Sequence, residues 1–119
     1  MTADATEFTV HVAMRGGTAT VVVCGELDLA TVDSLRDQAQ SAVDQSHGDV
    51  LLDMSAVTYM DSSGLSVVLE LRELLERSAR RLLIAQPSES VTAILTICGL
   101  AELITSSDDA AESATTVDS

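Results

Sequence analysis

The sequence predicts an α/β domain built on a mixed β-sheet, antiparallel at its N-terminal edge and parallel in its centre. Three observations predict it. Apolar residues alternate from Phe8 to Met14 and run into Gly16-Gly17, the mark of a two-residue hairpin. Residues 31–46 and 65–77 carry apolar side chains at helical spacing. Short apolar runs at residues 50–54 and 82–85 lie between and after those segments and read as buried strands. The resulting order, β-β-α-β-α-β-α with room for a final β-α, demands parallel crossovers.

The elements follow in turn. Phe8, Val10, Val12 and Met14 face one side of a half-buried first strand, with Thr9, His11, Ala13 and Arg15 on the other. Residues 18–25 are β-branched or apolar on both faces, as in a more central strand. Val32, Leu35, Ala39, Ala42 and Val43 then define an amphipathic helix over 31–46, with Gly48 as its stop. After the strand at 50–54, a loop of seven residues leads to Ser62-Ser63-Gly64. The next helix has a wide apolar face of Leu65, Val68, Leu69, Leu71 and Leu75. Four arginines between Arg72 and Arg81 read as a solvated face. Ser88 caps a third helix through Val91, Ile94, Leu95 and Cys98, and Gly99 stops it. Leu103-Ile104 reads as a short edge strand.

A chain of 119 residues suits one domain and buries roughly two-thirds of its unfolded surface. Residues 1–7 read as a loose lead-in, 8–104 as the domain, and 105–119 as an acidic tail, either frayed or forming a short helix at 108–114. An apolar fraction of 46% excludes wholesale disorder. Six arginines, no lysine and nineteen acids give a net charge of −13, which repels phosphate backbones and anionic membranes. Nucleic acid and membrane are therefore excluded as partners. With Phe8 and Tyr59 as the only aromatics, the stacking platform of single-strand binders is also missing. The chain has neither an 18-residue apolar run nor a charged and apolar leader, which places it in the cytoplasm. Cys24 and Cys98 lack metal-ligand spacing and read as buried free thiols.

The informative segment is Tyr59-Met60-Asp61-Ser62-Ser63-Gly64-Leu65, which joins a buried strand to a helix through two hydroxyls and a glycine. By local chemistry alone, Ser62 or Asp61 caps the helix, with Ser62 at the cap or the first helical position. Residues 53–65, read as a whole, resemble the signature of STAS domains, in particular the single-domain anti-sigma-factor antagonists of bacterial partner-switching systems. Gly25-Glu26-Leu27-Asp28-Leu29-Ala30-Thr31 resembles that family's second landmark, the loop before its first helix. The two landmarks stand at the expected separation, and the resemblance spans residues 8–104.

The resemblance implies a regulator and not an enzyme, with no cofactor, metal or catalytic residue. The partner it implies is an anti-sigma factor that is also a serine kinase. Phosphorylation breaks that complex and a PP2C-type phosphatase restores the binding form. The phosphoacceptor maps to Ser62, with Ser63 as second candidate. The partner surface maps to Glu26, Asp28, Thr31, Met60, Asp61, Ser62, Ser63, Gly64 and Leu65. Without the resemblance, Glu26 and Asp28 read as solvated loop acids, Asp28 serving local backbone donors. The alternative function is a structural STAS subunit of a transport or stress-signalling assembly. A small-ligand or nucleotide sensor is a third, though no lysine or glycine-rich phosphate cradle is present.

Other chemistries fail on the residues. Asp61-Ser62-Ser63-Gly64 does not fit the G-x-S-x-G elbow of serine hydrolases, and His11 and His47 lie on a strand and at a helix end. A receiver domain needs a lysine that this chain lacks. No P-loop occurs, and the acids after Asp53 do not alternate as a calcium loop requires.

Overall fold

The computed structural model describes residues 7–105, so the lead-in before Glu7 and the acidic tail beyond Thr105 lie outside it. Five strands, β1 (Thr9–Arg15), β2 (Thr18–Leu27), β3 (Val50–Met60), β4 (Leu82–Ala85) and β5 (Ile104–Thr105), form one sheet in the order β1-β2-β3-β4-β5. β1 pairs antiparallel with β2, and every later pairing is parallel. Three helices, α1 (Val32–Gln45), α2 (Ser62–Glu76) and α3 (Glu89–Ile97), provide the crossovers. Each crossover steps to the next strand in the same direction, so right-handed connections place all three helices on one face of the sheet. The expected fold and element order are observed.

The Gly16-Gly17 turn is as expected. Both glycines have positive φ, 53° and 90°, and Arg15 pairs with Thr18 across them. The Gly17 carbonyl also accepts from the amides of His47 and Gly48, tying the hairpin to the α1–β3 junction. Gly48 therefore sits two residues beyond the α1 C-cap, Ser46, and is held against the hairpin.

The core lies between sheet and helices. Ala19, Val21, Val23 and Leu27 of β2 alternate into it, and Val32, Leu35, Ala39, Ala42 and Val43 of α1 meet them, all as the periodicity predicts. On β1 the alternation is only partly buried. Phe8 and Val10 pack on the core, whereas Val12 and Met14 remain 39% and 42% exposed because β1 is the outer strand.

β3 departs from the sequence reading. It runs through Met60, so six of the seven residues expected as loop are strand, and the seventh, Asp61, caps α2. The pairing with β2 slips twice: Val22 and Cys24 face Asp53 and Ala56, and Gly25 and Glu26 face Val57 and Tyr59. Each slip adds one residue to β3 and turns the following side chains to the opposite face. Buried positions consequently fall at Val50, Leu52, Met54, Val57 and Met60, which is not the period of two that identifies strands. At the first bulge the Asp53 carboxylate accepts from the amide and the hydroxyl of Ser55. β4 accompanies β3 only as far as Asp53. Beyond it the Met54 carbonyl accepts from the Ser88 amide and the Thr58 carbonyl from the Ser90 hydroxyl, both at the start of α3.

Two further expectations are corrected. Arg80 is not part of a solvated face. Its guanidinium donates to the Val43 and Gly48 carbonyls and to the buried Ser46 hydroxyl, satisfying acceptors where α1 ends. Its neighbours Arg72, Arg77 and Arg81 pair with Glu76 and Glu102, Glu73, and Asp49 at the surface. The cysteines are free but not buried: Cys24 is half-buried on the face of β2 away from the helices, and Cys98 is exposed at the C-cap of α3.

Candidate functional site

The two segments singled out in the sequence meet at the C-terminal ends of β2 and β3. Leu27 pairs with Met60 in the sheet, and the Asp61 amide donates to the Leu27 carbonyl at 3.3 Å. The chain then turns away from both strands, into the Asp28–Thr31 loop and into α2. Both helices packed over this corner begin beside it. Backbone donors left free at the start of a helix favour nearby negative charge.

Asp61 is the N-cap of α2. Its Oδ1 accepts from the Ser63 amide at 2.9 Å and the Gly64 amide at 3.4 Å. The Ser63 hydroxyl donates to the same oxygen. That hydroxyl bond, helped by the amides, holds the Asp61 carboxyl below the ordinary aspartate range against a smaller opposing effect of desolvation. Ser62 is thus the first helical residue, the second of the two positions the sequence allowed. The two serines differ sharply in environment. Ser63 is half-buried and its hydroxyl is committed to Asp61, whereas Ser62 is exposed and its Oγ has no hydrogen-bond partner among the described residues.

Gly64 seats this helix. It is buried, and a Cβ built on it would fall 2.8 Å from Cγ of both Leu27 and Met60. The glycine is needed for that close approach, since its φ is ordinary for a helix. Met60 is itself buried at 5% exposure. Met60 and Gly64 were both expected at the partner surface. Both are buried, because the approach of α2 to Leu27 consumes the space around them. Leu65 is half-buried against the core.

The Asp28–Thr31 loop is closed by its own side chains. Asp28 Oδ1 accepts from the Ala30 amide at 3.0 Å and from the Thr31 hydroxyl at 3.3 Å. Thr31 Oγ1 accepts from the Asp28 amide at 3.0 Å and lies 2.8 Å from the Glu26 carbonyl, to which it donates in the alternative orientation of its proton. Asp28 therefore does serve local backbone donors, as its bland reading has it, and Thr31 is half-buried within the loop. Glu26 is exposed and faces Tyr59 across the β2–β3 pairing. Among the described residues none of Glu26, Asp28 and Asp61 is in an ion pair. Two exposed apolar side chains that the sequence reading missed stand at the same corner, Leu29 at 78% and Tyr59 at 50% exposure. Leu29 could have been flagged as a lone large apolar residue inside a polar loop; Tyr59 had no signal while its segment was taken for loop.

No group of three or more His, Cys, Asp or Glu among the described residues is placed to hold a metal ion. Among them, too, no helix is long and apolar enough to cross a membrane.

With this corner in view, the comparison with known proteins is decisive for the family. Residues 9–114 match the sequence profile of the STAS domain. The chain belongs to the STAS domain family. A curated relative, the anti-sigma-B factor antagonist of Staphylococcus epidermidis, is 32% identical over 84 residues, covering 71% of this chain and 78% of its own. Among solved structures, the anti-sigma factor antagonist SpoIIAA in its unphosphorylated form superposes with a TM-score of 0.74 at 25% identity, over 91% of this chain and 96% of that one. An anti-sigma factor antagonist from Mycobacterium paratuberculosis gives a TM-score of 0.78 at 24% identity, over 90% of this chain and 93% of its own. SpoIIAA of Bacillus is also known in a phosphorylated form, which superposes with a TM-score of 0.69 at 24% identity, over 91% of this chain and 99% of that one. As a STAS domain, this chain carries its exposed serine at the junction of β3 and α2.

Proposed function

We propose that this STAS domain is an anti-sigma-factor antagonist whose binding is switched by phosphorylation of Ser62. In this reading the unphosphorylated form engages an anti-sigma factor with serine kinase activity and so releases the sigma factor. The kinase then modifies Ser62 and the complex dissociates. A PP2C-type phosphatase regenerates the binding form. The names of the relatives support the antagonist role, and SpoIIAA exists in both phosphorylation states.

The observation that carries the reading is the contrast between the two serines. The Ser62 hydroxyl is exposed and unengaged among the described residues, whereas that of Ser63 is bonded to Asp61. A phosphate on Ser63 would replace a cap bond with a dianion against the Asp61 carboxylate. At Ser62 the phosphate projects from the first turn of α2, where the fold tolerates it; helix N-termini stabilise negative charge by roughly 0.3–2 kcal/mol. A docked partner does not. The phosphate adds about −1.5 to −2 charge to a corner that already holds Glu26, Asp28 and Asp61. Water and salt screen that repulsion in the free protein. In a closed interface the screening is lost and the phosphate must also be desolvated.

The test has two arms. Incubation with the candidate kinase and ATP should label the wild type and Ser63→Ala at Ser62, and should not label Ser62→Ala. Ser62→Asp and the phosphorylated form should bind the anti-sigma partner at least tenfold more weakly than the wild type. Labelling that persists in Ser62→Ala, or affinity unchanged by the phosphate, refutes the reading.

A further inference from the structure

We propose that β1 is a dimerisation edge, at which two copies of this chain join their sheets by antiparallel β1–β1 pairing. β1 is the outer strand of the sheet, seven residues long, and its pairing with β2 runs without a bulge from Thr9–Cys24 to Arg15–Thr18. Edges of this kind are commonly blunted by lysine, proline or a bulge. β1 has none of these.

The hairpin fixes which backbone groups are free. Across a two-residue turn the flanking residues, here Arg15 and Thr18, form a hydrogen-bonded pair. Arg15, Ala13, His11 and Thr9 therefore direct their N–H and C=O toward β2. Val10, Val12 and Met14 direct theirs away from the sheet, where no other described strand lies. These three residues are self-complementary about Val12. An antiparallel pair centred there joins Val12 to its own copy and Val10 to the partner's Met14, using every free group on the edge with correct parity.

The side chains agree with that register. Val10, Val12 and Met14 share the helix face, and Val12 and Met14 are two of the five large apolar residues left exposed among those described. In the pair they cover one another in the valley between the two copies of α1. The self-complementary register selects a second copy as the occupant, and the local charge permits it. The chain carries −13 overall, yet β1 contains no acid, and its ionisable residues are His11 and Arg15. In the centred register His11 faces the partner's Ala13 and Arg15 faces the partner's Thr9, so no like charges are opposed. A two-fold axis through Val12 gives each copy the same contacts, as a closed dimer requires. α2 lies over β3 and β4, so the pairing leaves Ser62 open on both copies.

A single strand pair buries less than the roughly 1,200 Å² of a standard interface, so the association is weak and screened best at moderate salt. Sedimentation of the full chain from about 10 μM to about 1 mM in 0.15 M salt should show a monomer–dimer equilibrium. Amide exchange at Val10, Val12 and Met14 should slow as dimer forms, while that of Thr9, His11 and Ala13 stays slow throughout. Val12→Pro removes an outward N–H without touching the β1–β2 ladder and should weaken the dimer at least tenfold. Val12→Lys should do the same by placing like charges on the axis, and it decides the matter if the proline variant fails to fold. A chain monomeric throughout that range overturns the proposal. So does a dimer that survives Val12→Lys, or one in which the three outward amides exchange at the monomer's rate.

Discussion

Replacing Gly64 with alanine measures how tightly α2 is seated. The new Cβ would lie 2.8 Å from Leu27 Cγ, 2.8 Å from Met60 Cγ and 2.9 Å from Leu27 Cδ2. These are not flexible side-chain tips. Leu27 is 0% exposed and Met60 5% exposed, so neither can swing into solvent. Alanine gains up to about 1 kcal/mol over glycine in a helix. Overpacking a rigid core costs about 1–3 kcal/mol. Two buried side chains met at 2.8 Å put the clash in the upper part of that range, leaving a net loss of about 1–2 kcal/mol, or a fall in Tm of roughly 4–8 °C for a domain of this size. Calorimetry on Gly64→Ala measures it. A second variant identifies the cause. Leu27→Ala alone should cost about 2–5 kcal/mol through its cavity. Combined with Gly64→Ala it should cost less than the sum by at least about 0.5 kcal/mol, because the new methyl occupies vacated space. A Tm of Gly64→Ala at or above wild type, or strict additivity in the double variant, would refute the packing argument.

Three further outcomes are expected. The Asp61 carboxyl titrates lower in the folded protein than in the unfolded chain, so the stability it supplies is complete at neutral pH and is lost as pH falls below about 4. Asp61→Asn keeps an acceptor at the cap and should show a shallower acid limb in pH-dependent melts; an NMR titration placing Asp61 at or above the ordinary value would contradict this. Arg80→Ala should lose roughly 1–3 kcal/mol in denaturant titrations, since it strands the acceptors at the end of α1, and Arg80→Lys should restore little because one ammonium cannot span all three. Under native conditions a thiol reagent should modify exposed Cys98 well before half-buried Cys24, read by mass spectrometry of the digested protein, and equal rates would contradict the burial.

Much of this architecture was legible because local signals and tertiary packing agree. The α1 stripe, the Gly16-Gly17 hairpin and the Ser88 cap each carry their own chemistry, and each lies where that chemistry puts it. The second half of β3 was illegible for a definite reason. Its bulges space Met54, Val57 and Met60 three apart, and that spacing looks neither like a strand nor, over so few residues, like a helix. Arg80 was misread because its partners are backbone carbonyls more than thirty residues away, which leave no trace in a local charge pattern. At the site, local sequence chemistry could name the serines but not separate them, and only the family resemblance favoured Ser62. What separates them is the direction of one hydroxyl, fixed by Asp61 acting as the cap.

The paired bulges in β3 have a consequence for how the length of this segment can vary. Each extra residue stands outside the β2 ladder, so Gly25 faces Val57 and Leu27 faces Met60 whether or not it is present. Deleting Ser55 would restore a plain alternation, with Met54 and Val57 still inward, Met60 still buried and Ser62 still at the outer corner. Deleting a residue from the regular stretch between Val50 and Asp53 would instead break the phase shared with both β2 and β4. Single deletions should therefore be tolerated at the bulges and not before them, a difference that a library of length variants would expose directly.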